Sequence, residues 1–196
     1  MKTPNIMKHR SNGLEAMSIP DYLFNEKGII LLDDEIDFDS ANSIKYQLMY
    51  LDDRDDLDVI TIMINSPGGM ISAGKIICDA MKLCKKKIRT IAAGPVASMA
   101  TVVYLLGDER EMYPSGTLMI HNPLYYLDKA HLEMDKVSEL LKDAQKNREA
   151  LLDLMLSTND LSIDRKQLGD FMDEEKTFEL EEALKYGLVT TDQVDL

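Results

Sequence analysis

Four short apolar runs recur along the chain, at residues 28–32 (GIILL), 59–64 (VITIMI), 88–93 (IRTIAA) and 117–120 (TLMI), with stretches of helical character between them. Runs this short, rich in β-branched residues and without a polar face, read as strands buried on both sides. Helices are expected from Asp39-Ser40 to about residue 51, over about 72–84, from near 98 to 106, over about 130–156, and over 179–186. In the first of these Ile44, Leu48 and Leu51 share a face, and the last ends at Gly187, a candidate left-handed cap. Strands alternating with helices over short connections pair in parallel through right-handed crossovers, which is the α/β class. In such sheets chemistry collects outside the carboxyl ends of the strands. Three strand ends here carry residues suited to it: Gly68-Gly69, Ser98 and His121.

Size and charge narrow the function classes. The chain has 196 residues, enough for one domain with a substantial core. We expect residues 1–20, polar with scattered Met, to be a mobile segment ahead of a single domain over 21–196. The formal net charge of −13 repels a nucleic-acid backbone. The basic cluster Lys85, Lys86, Lys87 and Arg89 falls where a helix should end and suits its dipole. No run approaches the roughly 20 apolar residues of a membrane span. The only cysteines, Cys78 and Cys84, are six apart on a helix and face apart, so neither a disulfide nor a metal site is expected, and a reducing, cytoplasmic setting is. The acidic stretch 52–58 lacks the glycine and the terminal glutamate of a calcium loop and reads as a solvated connection.

Acyl transfer needs a nucleophile, a base and donors for the oxyanion. Ser98 follows a strand-ending turn and opens a helix, where unpaired amides, that of Met99 among them, favour negative charge. Gly68-Gly69 has no side chains to mask its amides, and Gly69 is the better-placed second donor. Of the three histidines, His9 falls in the N-terminal segment and His131 on the long helix, which leaves His121 at a strand end as the base. Each feature also has a plain structural reading. Serine at that position is most often a helix N-cap, a glycine pair an ordinary turn, and a strand-end histidine a core residue.

Taken together, Ile64-Asn65-Ser66-Pro67-Gly68-Gly69, Gly94-Pro95-Val96-Ala97-Ser98-Met99-Ala100 and Met119-Ile120-His121-Asn122-Pro123 resemble the ClpP family, the proteolytic subunit of Clp proteases. Order and spacing also agree, and Glu182-Ala183-Leu184-Lys185-Tyr186-Gly187-Leu188-Val189 is similar to the family's C-terminal E-A-x-x-Y-G-L-V. The resemblance covers residues 28–189. It implies a crotonase/ClpP-like α/β fold with parallel sheets, flanking helices and a protruding long helix. It implies a serine endopeptidase with Ser98 as nucleophile, His121 as base, and Gly68, Gly69 and Met99 around the oxyanion. It further implies no metal and no organic cofactor, stacked heptameric rings (a tetradecamer) that cut unfolded polypeptide, and an ATP-driven AAA+ unfoldase as partner.

The family's third triad member is an acid shortly before the C-terminal motif. An ungapped match puts Glu175 there and a one-residue gap puts Lys176 there, with Asp173 close by; Glu175 ranks first and Asp173 second. Two segments depart from the family. Leu124-Tyr125-Tyr126-Leu127-Asp128 stands where a glycine-rich stretch is usual, and Thr61 and Met63 stand where aromatics line the unfoldase pocket. Such divergence is similar to the phage-associated branches. A weakly active or inactive ring subunit is the alternative. A crotonase-like acyl-CoA enzyme is argued against by the placement of Ser98 and His121.

Overall fold

A computed structural model describes residues 4–11, 13–125, 134–191 and 194. In chain order the elements are β1 (Asn5–Arg10), β2 (Gly13–Ser18), α1 (Ile19–Lys27), β3 (Ile29–Leu32), α2 (Phe38–Asp52), β4 (Val59–Ile64), α3 (Ile71–Leu83) and β5 (Lys87–Ala92). They continue with β6 (Pro95–Ala97), α4 (Met99–Leu105), β7 (Glu109–Met112), β8 (Thr117–Met119), α5 (Met134–Leu156), α6 (Arg165–Asp173), β9 (Thr177–Phe178) and α7 (Leu180–Lys185).

The main sheet has the order β3-β4-β5-β7 and is parallel throughout. Its inner strand β4 buries Ile60, Thr61, Ile62 and Ile64, as a run without a polar face requires. Helix α2 turns Ala41, Ile44, Leu48 and Leu51 inward and starts on a capping box between Asp37 and Ser40, its N-cap Asp37 two or three residues before the cap expected at Asp39-Ser40. The seven residues of α4 are all buried, which suits a helix apolar all round. Cys78 and Cys84 are both free.

Of the second sheet, β6-β8-β9, only β8 was expected, as the run at 117–120. Its strands are two or three residues long, and β9 runs antiparallel to β8, so the fold is not parallel throughout. β7 was missed as well, because EREM reads as a loop. Its Arg110 is nonetheless buried, with the guanidinium donating to the carbonyls of Leu188 (2.9 Å), Gly107 (3.0 Å), Asn159 (2.9 Å) and Gly187 (3.0 Å). Burial lowers its pKa, and those four carbonyls offset the cost of burying the cation.

The N-terminal stretch carries three elements not foreseen. β1 and β2 form an antiparallel hairpin. α1 follows, capped by the Ser18 hydroxyl, which accepts from the Asp21 amide (3.1 Å), and ended by Gly28 at φ 65°. The long helix is described from Met134; its expected start at about 130, and His131 with it, lie outside the described residues. Leu151, Leu152 and Met155 anchor its C-terminal end in the core, whereas Met134 and Leu141 are exposed. The helix therefore projects from the domain, as the resemblance implied.

Candidate active site

Ser98 joins β6 to α4 at φ 58° and ψ −128°, a conformation that glycine takes easily and serine does not. A residue held there costs roughly 1–3 kcal/mol and persists only where its surroundings impose it. Here the Ser98 amide donates to the Met119 carbonyl (2.8 Å), and its own carbonyl accepts from Thr101 (3.1 Å) and Val102 (3.4 Å). The Thr101 hydroxyl is 3.0 Å from the Val96 carbonyl and 2.8 Å from that of Met119, and it ties the same turn together from below. Ser98 occupies the N-cap position of α4, yet its side chain makes no capping bond. The ordinary job of a serine at a helix start is thus not done by this one, and Ser98 instead lines a cavity of about 820 Å³.

Gly68 and Gly69 end the β4 connection at φ 90° and 148°. A Cβ on Gly68 would stand 2.5 Å from the Ala97 carbonyl oxygen, 2.7 Å from Ser98 Cβ and 2.9 Å from the Met99 nitrogen, so the glycine backbone lies directly against the serine turn. A Cβ on Gly69 would meet the Ile36 carbonyl oxygen at 2.3 Å. The bridge of Ile36 to this segment leaves no room for it: the Ile36 amide donates to Gly68 (2.7 Å) and its carbonyl accepts from Met70 (2.8 Å). The two glycine amides differ. That of Gly68 donates to the Ser66 hydroxyl (3.2 Å), which itself donates to the Asp34 carbonyl (2.6 Å). Those of Gly69 and Met99 have no acceptor among the described residues.

Register brings His121 to the same place. β6 pairs in parallel with β8 through Ala97 and Met119, so the residues just beyond them, Ser98 and Ile120-His121, leave neighbouring strand ends about 5 Å apart. His121 is half-buried and lines the same cavity as Gly68, Gly69, Ser98 and Met99. All five residues singled out at the three strand ends are therefore on one wall.

The acid candidates are not on that wall. On the other side of β8, β9 pairs Leu118 with Phe178 and Met119 with Thr177, and the Ile120 amide continues to the Lys176 carbonyl (3.0 Å). Carried one step further, that register sets Glu175 opposite His121. Glu175 is exposed at φ 50°, which turns the chain out of the strand, and among the described residues no carboxylate is hydrogen-bonded to His121. Lys176 faces away: its ammonium is paired with Glu182 (2.9 Å). Asp173 is committed elsewhere, accepting from Asn122 Nδ2 (2.8 Å) and Arg148 Nη2 (3.2 Å). Those two hydrogen bonds hold its carboxyl below the usual carboxylate range. Arg148 Nε also donates to Asn122 Oδ1 (2.9 Å), so an arginine on α5 clasps the residue after His121 to the end of α6. Sequence reasoning missed this clasp. The only signal was a lone arginine on a helix of mixed charge.

Two sheets with packed helices, a projecting α5, and a strained serine sharing its cavity with a strand-end histidine define an α/β fold of ClpP-like type. The comparisons agree. A family model described as Clp protease matches residues 11–194. Proteins named ATP-dependent Clp protease proteolytic subunit are similar over nearly their whole length. The one from Leuconostoc citreum (strain KM20) is 29% identical over 188 residues, and the one from Borreliella afzelii (strain PKo) is 30% identical over 189. Each alignment covers 95% of this chain and 92% of the relative. The chain belongs to the Clp protease family.

Proposed function

We propose that the chain is a serine endopeptidase subunit acting on unfolded polypeptide through Ser98 and His121. The observation that carries this reading is the Ser98 turn: a serine held at a costly positive φ, with no capping bond, beside two amides that have no acceptor among the described residues. A strained serine between a strand and a helix is how a nucleophile is presented clear of its own backbone. In the reaction His121 takes the hydroxyl proton as Ser98 Oγ attacks the peptide carbonyl. The amides of Gly69 and Met99 receive the oxyanion, and His121 returns the proton to the leaving amine. Water, activated by the same imidazole, then releases the acyl group. Glu175 is the acid we assign to orient His121, moving inward from its exposed position, and Asp173 ranks below it because Asn122 and Arg148 already occupy its carboxylate.

By family membership we further infer a cytoplasmic homo-oligomer of stacked heptameric rings, with residues 21–196 as the peptidase domain, 1–20 as a mobile segment, and an AAA+ unfoldase feeding the chamber. The projecting α5, with Leu141 exposed, supports a contact between copies. No described helix is long and apolar enough to cross a membrane. A second reading, a ring subunit with little hydrolysis, is favoured by one observation: no described carboxylate is bonded to His121. Turnover of a fluorogenic peptide by the assembled particle separates the two. We expect hydrolysis that disappears in Ser98→Ala, and turnover surviving that substitution overturns the assignment of Ser98.

A further inference from the structure

Beyond Ser98 the cavity continues between α3, α4 and α5, where Ile71, Val102, Leu151 and Met155 line it. Val102 lies one helical turn along α4 from Ser98, so a peptide carbonyl held at Ser98 would direct the side chain on its acyl side, the P1 residue, into this recess. An apolar recess has no evident use for a cation, yet Lys75 also lines it. Lys75 follows Ile71 by four residues on α3 and so shares its face. It is half-buried, and no described carboxylate pairs with it. The acidic side chain on the same cavity wall, Glu35, sits instead on the Gly69 side, its Cγ 2.9 Å from where a Gly69 Cβ would be. Nearby, Asn147 Nδ2 donates to the Tyr125 hydroxyl (2.7 Å).

We propose that Lys75 is a specificity-determining residue that admits an acidic P1 side chain, glutamate above all. A glutamate would lay its two methylenes along Ile71 and Val102 and set its carboxylate on the Lys75 ammonium. A partly desolvated ion pair of this kind discriminates against the uncharged isostere, because glutamine leaves the ammonium unpaired. The inference rests on the reading of Ser98 as nucleophile.

The test uses the assembled full-length protein and three fluorogenic peptides that differ only at P1: glutamate, glutamine and leucine. Labelling of Ser98 by a fluorophosphonate is measured in parallel as a report on the folded site. The expected result is a kcat/KM for P1 glutamate about tenfold or more above that for glutamine, diminishing as salt is raised. The ratio should fall to about one in Lys75→Met and persist in Lys75→Arg. Cleavage after leucine with glutamate no better than glutamine overturns the proposal while leaving the nucleophile intact, as does an unchanged ratio in Lys75→Met. Failure to cleave any of the peptides, with no labelling of Ser98, overturns the serine-peptidase reading and this proposal with it.

Discussion

At the scale of single residues, backbone conformation shapes the candidate site as much as side-chain chemistry does. Ser98 at φ 58° carries a strain that alanine would keep and glycine would relieve. Ser98→Ala and Ser98→Gly should both be inactive, but the glycine variant should be the more stable by about 1 kcal/mol, a rise of roughly 2–4 °C in Tm for a chain of this size. Scanning calorimetry on the two variants side by side checks this, and equal Tm values would mean that the turn is not strained. The sequence offered the serine and its place before a helix, and with them the competing explanation of a cap. Nothing in the residue types distinguishes a capping hydroxyl from a free one. The difference lies in a positive φ imposed by Met119 and Thr101 from another strand and the following turn. Lys75 was opaque for a similar reason: a lysine on a helix reads as solvated until the neighbouring helices show what it faces.

At the scale of elements, the proposed choice of Glu175 over Asp173 as the acid rests on strand register. The β8–β9 pairing points to Glu175, while the hydrogen bonds from Asn122 and Arg148 retain Asp173. Glu175→Gln should therefore lower kcat by about 100-fold or more with little change in KM, whereas Asp173→Asn should cost less, through loosening of the loop after His121. Peptidase kinetics on the two variants test the order, and a larger loss in Asp173→Asn would reverse the assignment. The strands of the main sheet other than β7 were legible because they are continuous apolar runs. α2 and α3 were legible to within three residues because their apolar faces keep the helical period, and α4 to within one by its place after the Gly94-Pro95 break. β6 and β9 were not, since two or three residues carry no period. Their pairing is nevertheless what brings Ser98, His121 and the Glu175 segment close in the fold, so no period in the sequence could choose between the alignments for the acid.

At the scale of the whole molecule, distant parts of the chain are stapled by polar groups that no hydrophobic pattern reveals. Arg110 holds the carbonyls of Asn159, Gly187 and Leu188 to β7, and Arg148 holds α5 to the loop after His121 and to α6. The candidate site is thus assembled from segments between residues 66 and 176, and the long helix that projects outward is tied through Arg148 and Asn147 to the loop after His121. The class of fold and five of the proposed site residues could be read from three separated motifs together, whereas no single motif carried the reading. The central claim, that these segments make one nucleophilic centre at Ser98, is tested most directly by treating the assembled protein with a fluorophosphonate and mapping the adduct by mass spectrometry. One adduct per chain is expected, on Ser98, lost in Ser98→Ala and strongly slowed in His121→Ala. An adduct on another residue, or none on Ser98 in a particle that hydrolyses peptides, would contradict it.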